Sequence, residues 1–231
     1  MTEKERPTMP LLKQIAARLP SRWQNELKRI HFGRQINKGT FGTDEPEYKI
    51  LHNLITPGDW VVDIGANVGH YTKRFSELVG AHGRVIAFEP VTATFSLLAA
   101  NVQLFAQRNV SLINAAVSDK LDVVGMSMPN FSTGLTNYYE AHISSAADSA
   151  LSVLTISLDS LCINQHIALV KIDVEGHESF VLDGMQKLIE KHHPVLIVET
   201  GSKEVIAKLT SVGYVPEKFH KSPNVVFKPD V

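Results

Sequence analysis

Five short runs of this 231-residue chain constrain its fold more than any other feature. They are "WVVDI" (60–64), "RVIAF" (84–88), "VSLINAA" (110–116), "ALVKID" (168–173) and "PVLIVE" (194–199). Most are apolar almost throughout, as strands buried on both faces must be. Helical patterns separate them, and this alternation predicts a parallel sheet covered by helices in an α/β domain. Between the first two runs, Tyr71, Phe75, Leu78 and Val79 share one helix face, and Gly80 suits its C-terminal cap. The segment Thr92 to Ala106 repeats that behaviour, and a further helix is predicted around Glu204–Ser211. "GYVPEKFH" and "NVVFKPD" then read as a closing antiparallel pair. Residues 120–160 break the rhythm. "VVGMSMPNFSTGLTNYY" and "LSVLTISL" predict two strands around a polar loop bearing Phe131, Tyr138 and Tyr139, an insertion suited to covering a substrate pocket.

The first run leads into a glycine turn, "WVVDIGANVGHYT" (60–72). A strand, a glycine turn and a helix expose backbone N–H groups and let a ligand approach closely. The dinucleotide fingerprint is G-x-G-x-x-G. Here Gly65, Ala66, Asn67, Val68 and Gly69 supply no third glycine, and Asp63 would repel a pyrophosphate. S-adenosylmethionine carries the opposite charge, a sulfonium and an ammonium with no phosphate. A strand-end carboxylate suits it, with Gly65 and Gly69 expected to admit its backbone. Glu89 closes "VIAFEP" at the next strand tip, where a carboxylate accepts hydrogen bonds from both ribose hydroxyls. Either acid alone reads as an ordinary solvated group; the pair at adjacent tips favours a nucleoside.

"VVDIGANVGHYT", "VIAFEP", "NAAVSD", "ISLDSL" and "VKIDVEGHE", in this order, resemble the FkbM-type methyltransferases, from about Gly33 to the C-terminus. Asn67 stands where other methyltransferases have a glycine. The resemblance implies a Rossmann-like class I methyltransferase fold, its mostly parallel sheet finished by a C-terminal antiparallel hairpin. It also implies S-adenosyl-L-methionine as cofactor and O-methylation of a hydroxyl on a sugar or natural-product acceptor. "FGTDEPEYKIL" resembles the acidic segment that precedes the first strand in this family, so Glu45 is expected to help close the pocket. Asn67 and Tyr71 join the cofactor set, and Asn114 and Val117 fall at the third strand's tip, where this fold binds adenine.

Methyl transfer is an in-line displacement, and an unactivated alcohol gains from a base or a metal. "KIDVEGHESF" supplies Asp173, Glu175 and His177 as the catalytic candidates, with Gly176 permitting a sharp turn. For His177, capping or packing is an equal alternative. Lys171 is placed to pair with a carboxylate, and Glu178 to stabilise the first helical turn through the macrodipole. Glu199 ends the neighbouring strand. The spacing is not diagnostic of Mg²⁺, and no metal ligand is assigned. Two readings compete: a nicotinamide-dependent reductase, which lacks its glycine spacing and a Tyr-x-x-x-Lys pair, and a non-catalytic S-adenosylmethionine-binding module.

Residues 1–32 form a separate extension before a domain at 33–231. Leu11, Leu12, Ile15 and Leu19 make an apolar stripe opposite basic residues. It reads as a helix packed on the main domain or on a second subunit, giving a homo-oligomer, rather than one lying on a membrane. Residues 1–34 hold eight Lys/Arg and three Asp/Glu, +5 against −6 for the remainder. The net charge of −1 gives no general attraction to nucleic acid. Neither a signal peptide nor a membrane span is read, and the single Cys162 sits among apolar residues, so a buried thiol in a cytoplasmic protein is expected. His192 and His193 are expected in an exposed loop.

Overall fold

A computed structural model describes residues 20–127, 142–144, 149 and 151–230. The order of elements is α1 (Ser21–Lys38), α2 (Pro46–Ile50), β1 (Trp60–Ile64), α3 (His70–Val79), β2 (Arg84–Phe88), α4 (Thr92–Val102), β3 (Val110–Ile113) and β4 (Ala116–Val117). There follow β5 (Asp122–Ser127), β6 (His142–Ser144), β7 (Leu151–Ile156), β8 (Ile167–Ile172), α5 (Glu178–Asp183), α6 (Gln186–His192), β9 (Val195–Glu199), α7 (Lys203–Ser211), β10 (Tyr214–Lys218) and β11 (Asn224–Pro229).

The main sheet has seven strands in the order β10-β11-β9-β8-β1-β2-β3. β3, β2, β1, β8 and β9 run parallel, and β10 and β11 pair antiparallel at the far edge. The order reverses at β1, and the strands on either side of it, β2 and β8, bring their C-terminal ends to one crevice.

Successive residues of a strand face opposite sides of the sheet, which is why the central runs had to be continuously apolar. Val61, Leu169 and Ile197 join Phe75 of α3 in one core, while Val62, Val170 and Leu196 join Val181 and Leu182 of α5 in another. In a third cluster, Phe32 and Ile36 of α1 pack with Phe41, Leu97 and Leu98, so α1 lies across α4. The boundary placed at residue 32 falls inside α1. The stripe Leu11, Leu12, Ile15 and Leu19 lies outside the described residues. No helix among the described residues is long and apolar enough to cross a membrane.

Three local expectations are corrected. The third strand is not continuous over 110–116: it stops at Ile113, and Ala116–Val117 pairs with β7 in a second, four-stranded sheet, β4-β7-β5-β6. Asn114 makes the break, its amide donating to the carbonyls of Glu89 and Pro90 instead of extending the ladder. The insertion strands form as β5 and β7, while Phe131, Tyr138 and Tyr139 lie outside the described residues. Cys162 is exposed, because it follows the 3₁₀ turn Leu158–Leu161 with a left-handed backbone that turns its thiol outward. His192 is buried in the last turn of α6, and only His193 is exposed.

Candidate active site

A cavity of about 330 Å³ opens at the C-terminal ends of β1, β2, β8 and β9. Glu45, Asp63, Gly65, Asn67, Tyr71, Glu89, Val117, Asp173, Glu175 and His177 line it. Two sequence candidates do not: Asn114, occupied with the carbonyls above, and Gly69.

The glycine turn is shaped first by the protein's own packing. Gly65 has φ +77°, and a Cβ there would lie 1.9 Å from the carbonyl oxygen of Asp173. The residue therefore allows β1 and β8 to close together, where the Asp173 N–H donates to Ile64 at 3.0 Å. At Gly69, φ is +100°, and a Cβ would meet Leu98 at 2.7 Å, so this glycine seats α4 against the turn. Both glycines are expected to admit the ligand; Gly65 lines the cavity and Gly69 does not, and a side chain at either would also meet protein.

Glu89 and the turn fix each other. The Asn67 N–H donates to Oε2 and the Val91 N–H to Oε1, each at 2.9 Å. Each oxygen retains a further lone pair able to accept. Burial pushes the carboxyl up to about 7, against those two backbone donors. Asp63 is fully buried. Its Oδ2 accepts from Thr72 at 2.6 Å, while Oδ1 has no partner among the described residues. An orphaned buried carboxylate oxygen costs free energy, and its position on a cavity wall marks where a donor from a ligand is wanted. Burial raises its pKa and the Lys171 ammonium opposes that.

Lys171 lies inside β8 with 3% of its side chain exposed, its Nζ 2.8 Å from Asp173 Oδ2. The ammonium sits 4.7 Å above the Tyr71 ring. Burial alone would lower its pKa, but Asp173, Asp63 and Glu199 outweigh that and hold it above the ordinary value. Tyr71 reaches from α3 to two acids, Glu45 at 2.6 Å and Glu47 at 3.0 Å, and burial followed by these acids raises its pKa. Glu47, wholly buried, also accepts from the Asn224 amide of β11 at 2.6 Å. The segment before β1 is thereby clamped beside the cavity.

After β8 the chain turns through Glu175 (φ +47°) and Gly176 (φ +89°). A glutamate held in the left-handed region stores strain, the kind of outlier that accompanies function. Its side chain is exposed at the cavity mouth, and its carboxylate, that of Asp173 and that of Glu199 offer oxygens all within 4.8 Å of one another. The His177 imidazole stacks on Phe180 and lies 2.9 Å from the Ser118 hydroxyl. Burial lowers its pKa and Asp119 opposes this, so the surroundings favour the neutral ring. Glu178 accepts from the Gly176 N–H, bracing the turn as well as the first helical turn.

Sequence reasoning did not assign Thr43, His70, Met126 and Glu199 to the site. Thr43 and Met126 carry no signal in a single sequence. His70, the first residue of α3, packs its ring against Phe41 in a tilted pair with centroids 4.3 Å apart. Glu199 reads in the sequence only as a strand end; the pairing of β9 with β8 is what brings it to the cavity.

The chain matches the family described as Methyltransferase FkbM domain over residues 63–216. Its structure resembles methyltransferase FkbM from Methylobacillus flagellatus KT with a TM-score of 0.55 and 15% identity, covering 89% of this chain and 59% of that one. This chain thus spans somewhat under two thirds of that relative. A protein from Clostridium thermocellum provisionally named an rRNA methylase gives 0.50 at 13% identity, over 78% of this chain and 90% of that one. A stretch of 73 residues, 29% of this chain and 34% of the relative, is 36% identical to ribosomal RNA large subunit methyltransferase E of Methanothermobacter thermautotrophicus. The structural likenesses establish the class I methyltransferase fold. The family match runs from Asp63 at the glycine turn through the Asp173 turn and on to β10, and on that evidence this protein belongs to the FkbM methyltransferase family.

Proposed function

We propose that the protein is an S-adenosylmethionine-dependent O-methyltransferase whose acceptor is a small hydroxylated molecule. One observation carries this reading. The cavity wall holds six carboxylate residues, Glu45, Asp63, Glu89, Asp173, Glu175 and Glu199, against one lysine, which is already paired. Such a wall repels a pyrophosphate and attracts a sulfonium and an ammonium, which disfavours the nicotinamide reading. It equally disfavours a polyphosphate acceptor at the mouth, so the reading departs from the rRNA methylases among the relatives.

The residues present fit the cofactor. S-adenosylmethionine supplies an electrophilic methyl group on sulfur. Asp63 offers its unpartnered oxygen to a cationic donor, and Glu89 offers one lone pair on each oxygen to a ribose diol. Asn67 and Val117 border the nucleoside end, while Glu45 and Tyr71 close the other side. Asp173, Glu175 and His177 stand at the acceptor end. They orient a hydroxyl and exclude water, work in which alignment alone can contribute several kcal/mol, about 7–11 at best.

Calorimetric titration with S-adenosylhomocysteine and with NAD(H) tests the cofactor. Binding of the first and not the second is expected, and the reverse would end this reading. A panel of methyl glycosides, phenols and rRNA fragments with methyl-labelled cofactor tests the acceptor. Label confined to the RNA would replace the small-molecule reading with the other.

A further inference from the structure

The acceptor end holds four candidates for the hydroxyl proton, and their surroundings differ. Asp173 Oδ2 is taken by the Lys171 ammonium at 2.8 Å. His177 is engaged with Ser118, stacked on Phe180, and made a weaker base by burial. Glu175 is exposed, so water shields its charge. Glu199 remains. It ends β9 half-buried on the cavity wall, and among the described residues no hydrogen bond to its carboxylate is found.

We propose that Glu199 takes the acceptor's hydroxyl proton, with Lys171 as a positioning residue that holds Asp173 aside. This rests on the methyltransferase reading above and narrows it. In the step, a lone pair of the acceptor oxygen forms the new bond to the methyl carbon, and the carbon–sulfur pair returns to sulfur. The oxygen's proton passes to Glu199, whose carboxylate becomes a carboxylic acid and later releases the proton to water. The positive charge of the sulfonium and the negative charge of the carboxylate disappear together, so the cavity gains no net charge.

The electrostatics agree with the geometry. Burial raises Glu199 to about 7, with Asp173, Glu175 and Glu45 adding to the rise and Lys171 opposing it. A base performs best with a pKa near the working pH.

The test has two arms on the full chain. In protein labelled at the glutamate carboxyl carbon, NMR should show a resonance that titrates near pH 7, is lost in Glu199→Gln and moves upward in Lys171→Met. A Glu199 resonance titrating below pH 5 would overturn the proposal without an acceptor being needed. With the best acceptor of the panel, Glu199→Gln should lower kcat about 10²–10⁴-fold and erase the acid limb of its pH profile. S-adenosylhomocysteine affinity should stay within about threefold, and formate should restore part of the turnover of Glu199→Ala. Wild-type rates in Glu199→Gln, or loss confined to Asp173→Asn, would overturn it, as would turnover lost with chelator and restored by Mg²⁺. Failure of the wild-type chain to bind S-adenosylhomocysteine would instead sink the underlying reading, so the two failures are distinguishable.

Discussion

The two halves of the cavity hold their carboxylates by different means. On the β1–β2 side, Glu89 is gripped by two backbone N–H groups and Asp63 by a threonine from the following helix. On the β8–β9 side, Asp173 depends on one lysine, Glu175 sits on a strained turn, and Glu199 accepts no hydrogen bond among the described residues. Backbone donors are fixed once the fold forms, so the first half keeps one shape. A side-chain partner leaves Asp173 more room to adjust, and Glu199 is left without one among the described residues. The division matches the two tasks proposed here, holding a ligand and moving a proton.

Gly65→Ala attacks the seam between the halves. The added carbon would lie 1.9 Å from the Asp173 carbonyl oxygen, on a backbone alanine disfavours. A loss of about 4 kcal/mol or more is expected, read by urea unfolding. A near-native midpoint would show that the seam can open. Lys171→Met comes next. It strands Asp173 and the buried Asp63 without their cation, costing about 3–5 kcal/mol. A well-folded, equally stable variant would mean the acceptor half does not depend on that ion pair.

Glu89→Gln probes the rigid half through pH. Its folded-state pKa of about 7 lies above the ordinary 4.5, so the folded protein holds a proton that the unfolded chain has lost between those values. That contribution to stability is complete below pH 4.5 and vanishes as pH rises through 7. The ligand-free protein should therefore melt lower at pH 8 than at pH 5, and the glutamine variant should show a shallower fall. Identical slopes would place the titration elsewhere. His177→Ala should have the smallest effect, about 1 kcal/mol from one hydrogen bond, with cofactor affinity unchanged. A large loss of affinity would move His177 from the acceptor end to the cofactor end.

Much of the fold was legible because its central strands are buried on both faces. β1 and β2 were readable to the residue, since continuous apolar runs end abruptly at Asp63–Ile64 and at Glu89. The split after Ile113 was not, because an asparagine side chain bonding to carbonyls at the tip of the neighbouring strand leaves no periodic trace. Cys162 and His192 failed for a related reason. Apolar neighbours in sequence do not say which way a left-handed turn or the last turn of a short helix will point a side chain. At the site, most of the anchors sat on recognisable motifs. Glu199 was visible as a strand end, but its lack of a partner and its meeting with Asp173 depend on how β9 registers against β8, which no local pattern encodes.

The bond between Glu47 and Asn224 joins residues 177 positions apart. At a synthesis rate of about 5–20 residues per second, the glutamate waits roughly 10–35 s for the asparagine to be made. Until then the Glu45–Tyr71 clamp lacks its support, and a nascent chain cannot hold the finished binding wall. Competence for ligand is in this way scheduled late, after β1, β2, β8 and β9, which carry the cavity's carboxylates, have all been made.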